Sequence, residues 1–329
     1  MLNIALEKVR EAAITLQGKA QVTPLIAISG RTSLNGNPLY SKAENLQPTG
    51  SFKIRGASYS LSRLTSAQRQ AGVVAYSTGN HAQAVALAAK QLGISATIVM
   101  SPDAPDFKIE ATRSYGAAVV MAQSSSHARR EMAEELMHER GLSLIPPYDH
   151  MDVITGQGTI GLEIIEQLHP AAIFVPIGGG GLIAGIAAVV KQLAPDVQII
   201  GVEPEWENDA YLSFQQGQRI VLPASSASIA DAIRVQTLGD LTYPLICQYV
   251  DDIVTVSEVE IVASTILICK EMRTTVEPSG ALGVAAALKY RFPFSSERPV
   301  VCIASGGNIA PGGLESLQKI LLRTGDTDL

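Results

Sequence analysis

Ala171-Ala172-Ile173-Phe174-Val175-Pro176-Ile177 runs without a charged residue into Gly178-Gly179-Gly180-Gly181, and then into Leu182-Ile183-Ala184-Gly185-Ile186-Ala187-Ala188-Val189-Val190-Lys191-Gln192-Leu193. The first seven residues predict a strand buried on both faces, as in a parallel sheet covered by helices. The four glycines predict a loop, and the last stretch a helix. In open α/β sheets, ligands sit at the carboxyl ends of strands, where such loops run into helices. Glycine lets the main chain approach an anion and aim several N–H groups at it, beside the positive end of a helix. A glycine-rich loop alone could equally be a loose turn; the strand–loop–helix setting is what predicts a phosphate site at Gly178, Gly179, Gly180, Gly181 and Leu182. No Gly-Lys-Ser/Thr follows, and no GxGxxG with a later acidic residue, so the expected ligand is a phosphate smaller than a nucleotide.

The same alternation extends in both directions. Gly72–Thr78, Ser95–Met100, Ala117–Ala122, Val197–Glu203 and Val300–Ser305 read as further apolar strands, with helices after several of them. The turn-rich Pro146-Pro147-Tyr148-Asp149-His150 breaks the chain into two series. The expected organisation is α/β, with parallel-type sheets wrapped by helices. A small lobe is expected over 72–149 and a larger one from 1–71 and 150–329. The tail Arg323–Leu329 is polar and expected to be loose.

Composition narrows the class. With 47% hydrophobic and 17% charged residues, the chain can bury a large core, so disorder is not expected. A net charge of −6 and no Lys/Arg stripe argue against a nucleic-acid partner. No apolar run is long enough to span a membrane, and the N-terminus lacks the pattern of a secretory signal, so a cytoplasmic setting is expected. Cys247, Cys269 and Cys302 are odd in number and widely spaced, and read as buried small hydrophobes rather than disulfide or zinc ligands.

Two further segments carry chemistry. Lys53 lies between Phe52 and Ile54, just after the turn Pro48-Thr49-Gly50-Ser51, where a helix can begin. A lysine desolvated there has a depressed pKa, the condition for a Schiff-base nucleophile; a solvated surface lysine is the plainer alternative. Ser77-Thr78-Gly79-Asn80-His81 joins a strand to a helix and gathers hydroxyls, an amide and helix-start N–H groups, suited to a carboxylate or phenolic oxygen. His81 reads as packed or capping, without a proton-transfer role. Ser305-Gly306-Gly307-Asn308, after the last strand, gains meaning only with the others.

Taken together these segments resemble the fold type II pyridoxal-phosphate (PLP) enzymes, and among them the threonine/serine dehydratases and serine racemases. Glu44–Ala57, Ser77–Gln83, Ile154–Glu163, Val175–Ala187, Gly201–Pro204, Val276–Ala286 and Ser305–Ile309 occur in the family's order over nearly the whole chain. The resemblance implies a tryptophan-synthase-β-like fold, with PLP between two lobes and the small one closing on substrate. It implies that Lys53 carries PLP and serves as the base at Cα, with Phe52 against the ring. Gly178 to Gly181 and Leu182 would hold the phosphate, Asn80 the O3′ oxygen, and Ser305 would face the pyridine nitrogen. Ser77, Thr78, Gly79, Asn80 and His81, with Thr49 or Ser51 nearby, would bind the substrate carboxylate. A hydroxyl at the pyridine nitrogen makes the ring a weaker electron sink, which favours expelling a β-hydroxyl. The implied activity is therefore dehydration of L-threonine, L-serine or a related 3-hydroxy-amino acid to a 2-keto acid and ammonia. A homodimer is also implied, as is Mg²⁺ or Ca²⁺ held by Glu203, Asp209 and the carbonyl of Glu207, oxygen ligands that suit a hard cation. A solvated acidic loop is the alternative for that segment.

Three departures bear on the choice of reaction. The racemase serine that serves the second face of Cα is matched by Thr78, whose branched Cβ restricts the hydroxyl. The family's Ile-Ala-Asp-Gly is Ile229-Ala230-Asp231-Ala232 here. A racemase-type arginine for a β-carboxylate has no clear match, although Arg129 and Arg130 lie near it. The chain stops soon after Asn308, without the regulatory domain of biosynthetic threonine dehydratases, so a catabolic type is expected. An amino-acid racemase with side dehydratase activity is the second expectation and a β-replacement synthase the third. From another class, a PLP-binding carrier with a dead site remains an alternative.

Overall fold

A computed structural model describes residues 2–223, 228–292 and 297–324, so most of the expected loose tail, 325–329, lies outside the described residues. Ten strands follow in chain order: β1 (Leu25–Thr32), β2 (Pro38–Lys42), β3 (Val73–Tyr76), β4 (Ala96–Met100), β5 (Ala118–Met121), β6 (Ser143–Leu144), β7 (Ala172–Pro176), β8 (Gln198–Pro204), β9 (Asp252–Val256) and β10 (Val300–Ile303). They form a six-stranded sheet, β1-β2-β10-β7-β8-β9, and a four-stranded sheet, β5-β4-β3-β6. Six of the ten are the apolar runs expected from sequence, and every pairing is parallel except β1 with β2. That antiparallel pair is a hairpin closed by Asn35-Gly36, with Gly36 at φ 91° and its N–H donating to the Ser33 carbonyl at 2.8 Å.

The central strands of both sheets are buried on two faces with strict alternation. Along β7, Ile173 and Val175 pack with Ile183, Ile186 and Val189 on one side, while Ala172 and Phe174 pack with Leu282, Val284 and Ile268 on the other. In the small sheet Ala75 and Ile98 face the helix Asn80–Leu92, and Val74 and Val99 face the helix Ser126–Arg140. The edge strand β5 departs from the expected burial, with Ala118 and Met121 exposed. Cys302 is buried as expected and Cys269 partly so, but Cys247 is exposed on the outer helix Thr242–Tyr249.

Helix Met151–Gln167 crosses helix Gly181–Leu193 with main chains in contact. A Cβ added at Gly185 would come within 2.7 Å of the Gly158 nitrogen, so only glycine permits the crossing. The same long helix touches Lys53–Ser62, since a Cβ on Gly156 would lie 2.8 Å from Gly56 Cα. One buried helix thus sets both the end of the glycine loop and the start of the lysine helix. Among the described residues no helix is long and apolar enough to cross a membrane.

Candidate active site

Lys53 is the first residue of its helix, and that helix is anchored from beneath by Arg55. The buried guanidinium lies 2.8 Å from Glu44 and 2.5 Å from Glu163, and Glu163 also takes Lys42 Nζ at 2.6 Å. Burial would expel such charges, but here each is paired and hydrogen-bonded. The Glu44 carboxyl is held below the usual carboxylate range because the Arg55 guanidinium outweighs its desolvation.

Lys53 Nζ donates to the Pro147 carbonyl at 2.6 Å and lies 5.1 Å from the Phe52 ring centroid. Among the described residues no carboxylate pairs with it, and burial pulls its pKa down to about 8. It opens into a cavity of about 900 Å³ that is lined by Ser77 to His81, Gly178 to Leu182 and Ser305 as well. The expected cofactor and carboxylate residues are therefore brought to one place. Thr49 and Ser51 are not among the lining residues: both are buried, with Ser51 bridged to Gly306.

The glycine loop is shaped from outside as well as within. The Tyr148 ring covers Gly179 so closely that a Cβ there would collide with it, and Gly180 sits at φ 88°. Thr242 Oγ1 donates to the Gly179 carbonyl at 2.7 Å. Asp149 accepts from the Leu241 N–H and the Asp240 N–H, each at 2.9 Å, and so fixes the segment carrying Thr242. The loop N–H groups are left beside the start of helix Gly181–Leu193, an anion cradle that fits a phosphate. A nucleophilic amine and this cradle in one cavity fit PLP.

On the opposite wall, Gly79 N–H donates to Ser77 Oγ at 3.3 Å, and Thr78 lies half-buried between them. His81 Nε2 donates to the Ile145 carbonyl at 2.9 Å, and burial with the nearby Lys53 charge drives its pKa down to about 3. A ring held neutral and tied to the main chain is packed, as expected, and does not shuttle protons.

Several lining residues were not singled out from sequence, namely Lys108, Tyr148, Arg234 and Glu277, while Arg129 was noted only as lying near the place of a racemase-type arginine, without a clear match. Glu277 stood inside a quoted segment, where a carboxylate before an apolar helix was the available signal. The others come from separate elements, and nothing in their local sequence marks them. Arg129 is partly buried; its Nε is buried without a hydrogen-bond partner, and burial lowers its pKa.

In the acidic segment after β8, Glu203, Glu207 and Asp209 are buried while Glu205 is exposed. Glu203 caps the helix Asp209–Gln216, accepting from Ala210 N–H at 3.1 Å and Tyr211 N–H at 2.7 Å. Glu207 Oε2 and Asp209 Oδ2 are buried without hydrogen-bond partners. Burial raises all three carboxyls, Glu203 well above its usual range and Glu207 and Asp209 to about 7. Among the described residues no three His, Cys, Asp or Glu side chains gather as for a metal ion; the expected set here is two carboxylates and a carbonyl.

The family model for pyridoxal-phosphate-dependent enzymes matches residues 16–306. An L-threo-3-hydroxyaspartate ammonia-lyase from Pseudomonas sp is 46% identical over 310 residues, 94% of this chain and 97% of that protein. A serine racemase from Schizosaccharomyces pombe is 42% identical over 92% of this chain and 94% of that one. The structure of maize serine racemase superposes with a TM-score of 0.89 at 39% identity, covering 97% of this chain and 98% of that one. With Lys53, the glycine cradle and Ser305 around one cavity, the chain belongs to the fold type II pyridoxal-phosphate-dependent enzymes, in the group of the serine racemases and the threonine and hydroxyaspartate ammonia-lyases.

Proposed function

We propose that the chain is an ammonia-lyase that dehydrates a 3-hydroxy-amino acid bearing a second carboxylate, 3-hydroxyaspartate, to oxaloacetate and ammonia. Arg129 carries this reading. Its guanidinium lines the cavity, and its buried Nε lacks a partner. Its Nη1 donates to the uncharged Ser124 carbonyl, and among the described residues no carboxylate pairs with it, so a substrate carboxylate would supply the counter-charge and a partner for Nε. Two relatives named for L-threo-3-hydroxyaspartate, at 46% and 42% identity, support the same substrate.

PLP, when bound, supplies the electron sink for charge developing at Cα. Lys53 Nζ takes the Cα proton, aided by a pKa lowered to about 8. The N–H groups and hydroxyls of Ser77 to His81 bind the α-carboxylate, with Gly178 to Gly181 and Leu182 on the phosphate, Phe52 beside the ring, Asn80 at O3′ and Ser305 at the pyridine nitrogen. The segment 72–149, which carries the small sheet, is read as the lobe that closes and excludes water. Mg²⁺ or Ca²⁺ would be held by Glu203, Asp209 and the Glu207 carbonyl, supported by the unpartnered buried Oδ2 of Asp209. The unpaired cysteines agree with a reducing, cytoplasmic setting. A homodimer rests on the group resemblance and is tested by size-exclusion chromatography.

The test is keto-acid and ammonia release with PLP and Mg²⁺ from both 3-hydroxyaspartate diastereomers, L-serine, D-serine and L-threonine. Preference for a 3-hydroxyaspartate supports the reading, and preference for serine or threonine removes the second carboxylate from it. Inverted substrate accumulating faster than keto acid would make Thr78 a second-face acid and the chain a racemase. Arg129→Ala should lower kcat/KM for 3-hydroxyaspartate about 100-fold and leave L-serine nearly unchanged.

A further inference from the structure

Asn80 is held in a hydrogen-bonded chain whose direction is dictated by the main chain. The Thr49 carbonyl can only accept, and Asn308 Nδ2 donates to it at 2.8 Å. Asn308 Nδ2 donates its other hydrogen to Asn80 Oδ1, also at 2.8 Å. Asn80 must therefore turn its Nδ2 the other way, where it donates to Glu277 Oε1 at 2.6 Å. One Asn80 N–H is left over, on a residue that lines the cavity.

We propose that Glu277 is a positioning residue that, with Asn308, clamps the Asn80 amide in one orientation, so that its remaining N–H is offered to the cofactor's O3′ oxygen. The inference rests on the reading of Asn80 as the O3′ partner and not on which amino acid is the substrate. Without the clamp an amide can rotate and present its oxygen, setting acceptor against acceptor. Glu277 is itself fixed: it is 1% exposed, precedes the helix Pro278–Lys289, and its N–H donates to the Gly306 carbonyl at 3.0 Å. Gly306 has no side chain because a Cβ there would collide with the Glu277 carboxyl and lie 3.0 Å from Asn80 Nδ2. Burial first, and the Asp231 charge second, push the Glu277 carboxyl up to about 7, while Lys108 opposes them. A group that accepts a hydrogen bond without needing a full negative charge can be replaced by an amide.

The test compares Glu277→Gln, Glu277→Ala and Asn80→Ala holoenzymes by the visible absorbance of bound PLP at fixed pH and by PLP retention on dialysis. Glutamine can still accept from Asn80, so Glu277→Gln should keep the wild-type spectrum. Glu277→Ala should shift intensity between the cofactor's tautomeric bands and weaken PLP retention about fivefold, the loss of one hydrogen bond. Asn80→Ala should shift the spectrum furthest. An unshifted Asn80→Ala overturns the O3′ reading, whereas a shift there with Glu277→Ala unchanged overturns the clamp alone. A Glu277→Gln spectrum matching that of Glu277→Ala means the charge acts rather than the orientation, and also overturns it. Should Glu277→Ala fail to fold, Asn308→Ala removes the other jaw, and an unchanged spectrum there is equally decisive against the proposal.

Discussion

Lys108 Nζ lies 2.7 Å from the Asp231 carboxylate, joining a helix of the small-sheet segment to a loop of the large one across the cavity. The lysine side chain is buried and the aspartate is 43% exposed, so the pair keeps part of its attraction against solvent. A Cβ on Gly79 would lie 3.8 Å from the same Nζ, which places the latch beside the Ser77–His81 loop.

Breaking the latch should loosen closure more than chemistry. Lys108→Met is expected to raise KM for the hydroxy-amino acid about fivefold, with kcat within about twofold, since a half-exposed pair contributes about 1 kcal/mol. Wild-type KM should rise with ionic strength and that of the variant should not. Steady-state kinetics at two salt concentrations checks both.

On the reading of Lys53 as the PLP lysine, its amine must be neutral to capture the cofactor, and its pKa is lowered to about 8. The rate of apoprotein reconstitution should therefore rise about tenfold per pH unit below 8 and level off above it. The sign for stability follows from the same shift. Between about 8 and the unfolded value near 10.4, the unfolded chain binds the extra proton, so apoprotein stability rises with pH in that window. Lys53→Ala should abolish turnover and covalent PLP while the fold persists, as read by circular dichroism. Undiminished turnover would remove Lys53 as the base.

A Cβ at Gly179 would strike the Tyr148 ring. Gly179→Ala should displace the phosphate cradle and raise the PLP dissociation constant about 100-fold, with a smaller loss of apoprotein stability, about 1–3 kcal/mol. Fluorescence titration with PLP gives the first value and urea unfolding the second.

Glu207 Oε2 and Asp209 Oδ2 are buried without hydrogen-bond partners, beside a Glu203 carboxylate that accepts from two helix N–H groups. Adding Mg²⁺ or Ca²⁺ should raise Tm by several degrees and a chelator should reverse it, because ligand binding to the folded state alone stabilises it. Glu203→Ala should remove the dependence. A Tm indifferent to both cation and chelator would leave the acidic loop as a helix cap only.

Much of the site was legible because its residues cluster in short segments. Lys53 with Phe52, the run Gly178 to Leu182, and Ser77 to His81 each sit where a strand or turn meets a helix, a junction that local patterning marks. The hairpin β1–β2 was missed although Asn35-Gly36 is a turn signal, because the flanking strands carry polar residues and lack the continuous apolar run of the others. The burial of the acidic loop was also illegible. Four acids in seven residues, Glu203, Glu205, Glu207 and Asp209, left a solvated loop as the alternative to a metal site until the helix Asp209–Gln216 is seen seated on Glu203.

The sequence by itself determined the class of fold, the lysine and the anion cradle. Apolar strand periodicity and glycine stereochemistry act over a few residues and need no distant partner. Only the tertiary structure decided that Arg129 Nε is buried without a hydrogen-bond partner, that Lys108 reaches Asp231, and that Thr49, Asn308, Asn80 and Glu277 form one directed chain. Those relations join residues up to 259 positions apart, and hydrogen-bond direction and charge pairing exist only once the fold has brought the groups within about 3 Å.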